Sequence, residues 1–289
     1  MRKTLREIIK KEDNNKTVNQ ILRDNFGLSK KEISRLKFIE DGILLNYVKV
    51  HVNKKVHTHD YLEARFGKDN QLRRNKNIQL DVLYDDEDLI IVNKPVGIVC
   101  HKTHGYLDND LGTMICDKYG LDKVRVIGRL DKDVSGLIVY AKSQPSAARL
   151  SKERIENKFH KQYLAVIEGR LIKKADTLKY GIKKIDKSIK KEVDFNSDEC
   201  ETSYRVILEN NKYSLLFVEI KTGKSHQIRA GFSALGYPLV GDKLYGGNTD
   251  KIKRPALHCA TLQLYQPFTD EMIKRDISLP EDMLKLIEE

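Results

Sequence analysis

Apolar and polar positions change their spacing near residue 80. Before that point, Lys16 to Phe66 reads as a small module of helices and short strands. Leu28-Ser29 followed by Glu32 and Ile33 has the form of a capping box, with Leu28 and Ile33 placed as a hydrophobic staple. The spacing therefore predicts a helix that begins at Ser29 and turns Ile33, Leu36 and Ile39 inward among Lys30, Lys31, Arg35 and Lys37. It stops near Gly42, whose missing side chain permits a left-handed cap. Short strand-like segments follow through Val56 to Leu62.

Residues 67–79 carry Lys68, Asp69, Asn70, Arg73, Arg74, Asn75 and Lys76 with almost nothing apolar, so they cannot bury a core and are assigned as a linker. The predicted organisation is a small domain over 1–66, the linker over 67–79 and a main domain over 80–289. In the main domain, Asp88-Leu-Ile-Ile-Val-Asn93, Gly136-Leu-Ile-Val-Tyr-Ala141, Tyr163-Leu-Ala-Val-Ile167 and Tyr213-Ser-Leu-Leu-Phe-Val-Glu-Ile220 are apolar runs bounded by turn or charged residues, and read as strands. Ser143 to Asn157 reads as a helix capped by Ser143, with Ala147, Leu150 and Ile155 facing inward. Ser225-His-Gln-Ile-Arg229 opens another helix, which ends at Gly236 before Pro238. The lysine-dense stretch Lys173 to Glu192 reads as a surface hairpin or insertion. Helices are too few for regular βαβ alternation, so the fold class is α+β, a mixed and mainly antiparallel sheet with a small α+β amino-terminal domain.

Charge adds a partner. Lys and Arg number 53 against 42 Asp and Glu, a formal net charge of +11, which would hold a polyanion through phosphate contacts. A solvated basic face is the plainer alternative. No apolar run approaches a membrane span and the amino terminus has no signal core, so a soluble cytoplasmic protein is expected. Cys100, Cys116, Cys200 and Cys259 show neither paired spacing nor a zinc motif, so reduced thiols and no metal are expected; Cys100-His101 and His258-Cys259 are poor chelate geometry.

Gly128-Arg-Leu-Asp-Lys-Asp-Val-Ser-Gly-Leu-Ile-Val-Tyr-Ala-Lys142 puts a polar, charged turn between two apolar strands. On pattern alone Asp131 and Asp133 serve an exposed hairpin turn equally well. The run nevertheless resembles the R-L-D-x-D-T-S-G-L signature of the RluA-type pseudouridine synthases. The resemblance extends over most of Leu80 to Glu289, through Asn93-Lys-Pro-Val-Gly97, Lys161-Gln-Tyr-Leu-Ala165, Thr222-Gly-Lys-Ser-His-Gln-Ile-Arg229 and Gly241-Asp-Lys-Leu-Tyr-Gly246. The amino-terminal module is similar to the small RNA-binding domain of ribosomal small-subunit protein four. Gly42-Ile-Leu-Leu-Asn46 and His59-Asp60 carry that likeness, although Tyr47 and His59 stand where glycines are usual.

The resemblance implies conversion of uridine to pseudouridine in structured RNA, ribosomal large-subunit RNA first and transfer RNA as the alternative, by a monomer needing no cofactor and no obligatory protein partner. This isomerisation breaks the bond from ribose to N1 and reattaches the base through C5. It needs an ionised group beside sugar and base, a pocket for a flipped base, and donors for charge developing on uracil. The resemblance assigns the ionised group to Asp131, its pairing cation to Arg229 and a base-stacking ring to Tyr163. Arg129 would fill the gap left by the flipped nucleotide, Ile228 would floor the uracil, and Lys30, Lys31 and Arg35 would add RNA contacts. An RNA phosphate contact for Arg229 and plain core packing for Tyr163 and Ile228 are the structural alternatives.

Gly128, where the family often has histidine or asparagine, and Lys224, where it usually has arginine, depart from the pattern. Two other functions remain open at this point. One is a non-catalytic RNA-binding or ribosome-assembly protein on the same fold. The other is a nucleoside or glycoside hydrolase using Asp131 with Asp133, which as neighbours on an extended strand would point to opposite faces.

Overall fold

The computed structural model describes residues 4–28, 30–65, 79–101, 110–186 and 188–288. The chain divides into two compact units, Met1–Arg73 and Arg74–Glu289. The boundary falls within the predicted linker, most of which, 67–78, lies outside the described residues.

The first unit contains β1 (Thr4–Ile8), α1 (Val18–Asp24), α2 (Lys30–Leu36), β2 (Ile43–Leu45), β3 (Val48–Lys49) and β4 (Tyr61–Arg65). Its strands form a sheet in the order β1-β4-β2-β3. Helix α1 opens with a capping box in which Thr17 and Gln20 satisfy each other's amides. Ile33 and Leu36 of α2 are buried and Ile39 packs against the same cluster as Ile21, Leu22 and Leu62. Ser29, the expected cap of α2, lies outside the described residues.

Gly42 differs from expectation. The left-handed residue after α2 is Asp41, with φ 57°, and Gly42 is needed for space, because a Cβ there would lie 2.2 Å from the Leu36 carbonyl oxygen. A close approach of backbone to backbone leaves no trace in apolar periodicity.

The second unit contains β5 (Asp81–Asp85), β6 (Leu89–Lys94), α3 (Leu111–Tyr119), β7 (Arg125–Ile127), β8 (Ser135–Ala141), α4 (Gln144–Ile155), β9 (His160–Glu168), β10 (Ala175–Lys184) and β11 (Lys191–Asp194). These are followed by β12 (Cys200–Glu209), β13 (Tyr213–Ile220), α5 (Gln227–Ala234), β14 (Leu257–Tyr265), β15 (Met272–Asp276) and α6 (Glu281–Glu288). Among the described residues the strands form one sheet, β11-β10-β12-β13-β9-β14-β8-β6-β5, with β15 on β14 and β7 on β8. Among the described strands, β14 and β8 form the one parallel pair. The fold is therefore α+β with a mainly antiparallel sheet. Strand β8 is buried at all seven positions, which explains its unbroken apolar run in place of alternation.

Helix α4 starts as expected, with the Ser143 hydroxyl accepting from the Ser146 amide at 3.1 Å. Leu150 is fully buried and Ala147 packs on the core, but Ile155 is 82% exposed, contrary to the expected inward face. The stripe that runs through Ala147 and Leu150 continues to Arg154, one residue earlier, and Arg154 lines a cavity described below. The lysine-dense stretch is a hairpin of β10 and β11 that extends the sheet beyond β12.

Candidate active site

The segment between β7 and β8 carries Asp131, and neighbouring groups hold it by its backbone. The Cys100 thiol donates to the Leu130 carbonyl at 3.0 Å while its sulfur accepts the Leu130 amide at 3.3 Å. The Lys94 ammonium, fully buried, donates to the carbonyls of Pro95 at 2.8 Å, Ile98 at 2.9 Å and Lys132 at 2.9 Å. The Gly97 amide donates to the same Lys132 carbonyl at 3.0 Å. Burial brings the Lys94 pKa down to about 8 and outweighs the nearby charges of Asp133 and Asp131, which raise it. The motif Asn93-Lys-Pro-Val-Gly97 thus fixes the loop that presents Asp131.

The Gly128 departure has a local explanation. Gly128 has φ 68°, and a Cβ there would stand 3.3 Å from both Cε and Nζ of Lys161. The Lys161 ammonium, buried on β9, donates to the Gly128 carbonyl. A lysine from another strand therefore occupies the space that a larger residue at position 128 would contest. Lys224, the second departure, pairs with Glu199 at 3.5 Å on a half-exposed surface.

Asp131 and Asp133 do not sit on one extended strand, which corrects the expectation from adjacency. The Val134 amide returns to the Asp131 carbonyl at 3.2 Å, closing a turn over Lys132 and Asp133. Asp131 lines a cavity of about 490 Å³ and Asp133 is not among its lining residues.

The other wall is α5, which is riveted by Gln227. The Gln227 side-chain oxygen accepts from the Thr222 hydroxyl at 2.9 Å and the Lys224 amide at 3.1 Å, and its nitrogen donates to the Thr202 hydroxyl at 3.0 Å. One turn of this anchored helix carries both Ile228, which is buried on the cavity wall, and Arg229.

Arg229 joins two carboxylates. Its Nη1 donates to Asp131 Oδ2 at 2.9 Å, while Nε and Nη2 donate to Asp242 Oδ2 and Oδ1 at 2.7 and 2.8 Å. Asp242 is fully buried and the guanidinium lies 5.2 Å from the centre of the Tyr245 ring. Burial opposes the arginine's charge, but the bonds to Asp242 and then Asp131 outweigh it and raise its pKa. One cation facing two anions leaves a net negative charge, and the more exposed carboxylate, Asp131 at 28%, meets the cavity.

Tyr163 of β9 is 5% exposed on the cavity wall, and burial, followed by the charges of Cys259 and Asp131, pushes its phenol well above the usual range. Arg129 is exposed and lines the same cavity. The structure thus gathers Asp131, Tyr163, Arg229, Ile228 and Arg129 around one space. Lys30 is exposed on the separate first unit, and the side chains of Lys31 and Arg35 lie outside the described residues. Among the described residues no cluster of three or more metal-ligating side chains occurs.

The motifs Gly241-Asp-Lys-Leu-Tyr-Gly246 and Asn93-Lys-Pro-Val-Gly97 assign no role by spacing to Asp242, Tyr245 or Lys94. Nor does the sequence single out His226. Its Nε2 stands 3.8 Å from Asp131 Oδ2 and its Nδ1 lies 3.0 Å from the Tyr245 hydroxyl. Charged residues inside otherwise apolar or glycine-rich motifs were the available signal.

A mainly antiparallel sheet bearing a carboxylate in a cavity lined with Arg129, Lys132, Arg154 and Lys224 defines a protein that does chemistry on a polyanion. The fold is shared with solved structures of human RNA pseudouridylate synthase domain containing 1, at a TM-score of 0.56 and 21% identity over 73% of this chain and 94% of that one. Human RNA pseudouridylate synthase domain containing 4 matches at a TM-score of 0.57 and 20% identity, over 71% and 90%. The family described as RNA pseudouridylate synthase matches residues 88–234.

The chain belongs to the RNA pseudouridylate synthase family, and is an enzyme that isomerises uridine to pseudouridine in RNA. It is 36% identical to the uncharacterized RNA pseudouridine synthase YhcT of Bacillus subtilis, over 72% of this chain and 71% of the relative. It is 31% identical to ribosomal large subunit pseudouridine synthase D of Xylella fastidiosa, over 73% and 70%. No helix among the described residues is long and apolar enough to cross a membrane.

Proposed function

We propose that the chain modifies uridine in ribosomal large-subunit RNA with Asp131 as its catalytic carboxylate, acting as a cytoplasmic monomer. The observation that carries the assignment of Asp131 is the sharing of Arg229 between two carboxylates. Asp242 holds the guanidinium by two bonds from inside the protein, so the arginine can orient Asp131 while its own place is fixed. An anion held at a cavity wall is the group that cleavage of the ribose–base bond needs. Tyr163, still a protonated phenol, stacks on the target base, Ile228 floors it, and Arg129 enters the gap that the flipped nucleotide leaves. The relatives named ribosomal large subunit pseudouridine synthase D, in Xylella fastidiosa and Haemophilus influenzae among others, favour that RNA over transfer RNA.

The first unit acts in this reading as an RNA-binding module like that of ribosomal small-subunit protein four, with Lys30, Lys31 and Arg35 as contacts. Its hydrogen bonds support the likeness. Asn46 Nδ2 donates to Asp60 Oδ1 at 2.8 Å, and Asn46 Oδ1 accepts from the Tyr61 amide at 2.8 Å. Tyr47 and His59, which replace the usual glycines, keep left-handed backbones with φ 67° and 74°.

Pseudouridine mapping across total RNA from cells with the wild-type protein, with none, and with Asp131→Asn tests the proposal. The expected outcome is one or more large-subunit uridines that lose modification equally in the last two strains, with RNA binding by the purified variant preserved within a few-fold. A normal map in the Asp131→Asn strain removes the catalytic assignment, and loss confined to transfer RNA removes the target.

A further inference from the structure

We propose that His226 is a further catalytic residue, whose Nε2–H donates a hydrogen bond to a uracil oxygen as the base separates from ribose, and that Tyr245 sets the tautomer which makes this possible. The inference rests on the reading of Asp131 as the catalytic carboxylate.

Tyr245 decides where the imidazole proton sits. Its hydroxyl oxygen accepts the Lys191 amide at 2.8 Å and lies 3.0 Å from His226 Nδ1. Burial, the largest influence, pushes the phenol above its usual pKa, so the oxygen keeps its hydrogen. A phenol oxygen can accept from two donors, but donation of its own hydrogen to His226 Nδ1 is the arrangement that gives that hydrogen an acceptor among the described residues. In that arrangement Nδ1 is unprotonated. The ring hydrogen is left on Nε2, a tautomer assigned from the bonding pattern.

That nitrogen stands 3.8 Å from Asp131 Oδ2, beyond hydrogen-bond distance, and its side chain is 15% exposed on the cavity wall. The donor is therefore close to the proposed reaction centre and, among the described residues, has no acceptor within hydrogen-bond distance. Two of the buried cations that line the same cavity, Arg229 and Lys161, are already committed. Arg229 bonds Asp131 and Asp242, and Lys161 bonds the Gly128 carbonyl.

The backbone at His226 is also unusual, with φ 60° at the residue that caps α5. Its carbonyl accepts the Ala230 amide at 2.8 Å, which holds the ring at the helix entrance. A left-handed non-glycine residue beside a reaction cavity is a recurrent mark of a functional constraint.

The chemistry leaves this role open. When the C1′–N1 bond breaks, its electron pair stays with the base, and the negative charge spreads over N1 and the two carbonyl oxygens. A C1′–C5 bond then forms, C5 gives up its proton and N1 takes one, so atoms and electrons balance as an isomerisation. A preorganised donor on a uracil oxygen stabilises the anionic stage and needs no proton transfer of its own. The groups facing the imidazole are Asp131 and Asp242, which favour its protonated form, and Arg229 and Lys191, which oppose it, with the Tyr245 hydroxyl on Nδ1. Burial is the largest influence and lowers its pKa, so the ring is neutral at neutral pH. Protonation in acid would leave the Nε2–H in place, whereas it would abolish a general base.

Full-length His226→Gln, His226→Asn and His226→Ala, with Tyr245→Phe and the Gln/Phe double variant, test this in single-turnover reactions. Each enzyme is in saturating excess over total RNA from cells lacking the protein, and modification is read at the mapped uridine. Glutamine can place an amide N–H near the position of Nε2, and asparagine cannot. We expect the Ala and Asn variants to slow the step by about 10²- to 10³-fold, as for loss of one preorganised donor, with RNA affinity nearly unchanged. His226→Gln should stay within about tenfold of wild type, since the donor is kept, and follow the same pH profile. Tyr245→Phe should slow an enzyme that has His226 but not one that has glutamine there, because an amide has no tautomer to set.

A glutamine variant as slow as alanine, with the acid limb of the wild-type profile abolished, would make His226 a base and overturn the inference. Wild-type rates in all three position-226 variants would reduce it to a lining residue. Either result with Asp131→Asn inert leaves the assignment of Asp131 standing, whereas an active Asp131→Asn enzyme removes the reading on which this inference rests.

Discussion

Arg229→Lys keeps a positive charge and removes a geometry, so it tests whether the fork itself matters. The guanidinium makes three charge-assisted bonds, two to the fully buried Asp242 and one to Asp131. An ammonium on a flexible stem cannot reproduce the planar pair on Asp242 and also reach Asp131. Removing a buried partner altogether costs about 3 to 5 kcal/mol. Lysine retains part of the attraction, so we expect a loss of about 2 to 3 kcal/mol in urea denaturation, set by bonds that are each worth about 1.5 to 3 kcal/mol.

If the orientation of Asp131 contributes a similar amount in the transition state, the saturating single-turnover rate falls about 10²-fold, at 1.36 kcal/mol per decade. RNA affinity should be nearly unchanged, because the phosphate-facing surface is untouched. The assay pairs saturating rates with affinities at several salt concentrations. Were Arg229 a phosphate contact, the lysine variant would bind RNA more weakly with a shallower salt dependence and react normally at saturation. That pattern would refute the ion-pair argument.

Two further outcomes follow from other parts of the molecule. His258 is buried with its Nδ1 on the Ser135 hydroxyl at 2.8 Å, and burial lowers its pKa to about 4 from 6.5. The unfolded chain therefore takes up a proton between those values that the native state refuses. Its contribution is complete above about pH 6.5 and lost as pH falls to about 4, a total of about 3 kcal/mol. Urea unfolding at several pH values across that window should show a shallower pH dependence in His258→Phe; parallel curves would mean that another group carries the slope. Separately, the second unit alone, Arg74–Glu289, should fold and modify a short RNA at saturating concentration, with weaker binding than the full chain. A folded but inactive unit would show that residues 1–73 help to build the active site.

Much of the main sheet was legible because the apolar runs of β6, β8, β9 and β13 are unbroken and end in turn or charged residues. The cap at Ser143 was legible for a similar local reason, since its partner lies three residues away. Asp131 and Arg229 are 98 residues apart and no periodicity brings them together. Their pairing was expected from family resemblance, and the structure supplies its geometry. What resemblance of motifs did not convey is the third member, Asp242, or the carbonyl cage around Lys94. Those depend on which backbone atoms face one another after folding. The same limit explains the outward turn of Ile155 and the space requirement at Gly42.

The partition of Arg229 between its two acids suggests why Asp242 belongs to the site. A guanidinium bonded to Asp131 by two parallel N–H groups would occupy both carboxylate oxygens and weaken either as a nucleophile or base. Asp242 instead takes Nε and Nη2, leaving Nη1 for Asp131. Among the described residues the recorded ionic contacts to that carboxylate, from Arg229 and more distantly His226, both fall on Oδ2. Oδ1 receives neither. The buried acid thus holds the arginine firmly while limiting its claim on Asp131, which in the proposed role would be oriented through Oδ2 and offer Oδ1 to the substrate. In a cavity otherwise lined with cations, that division would let the proposed catalytic carboxylate stay anchored and still react when RNA arrives.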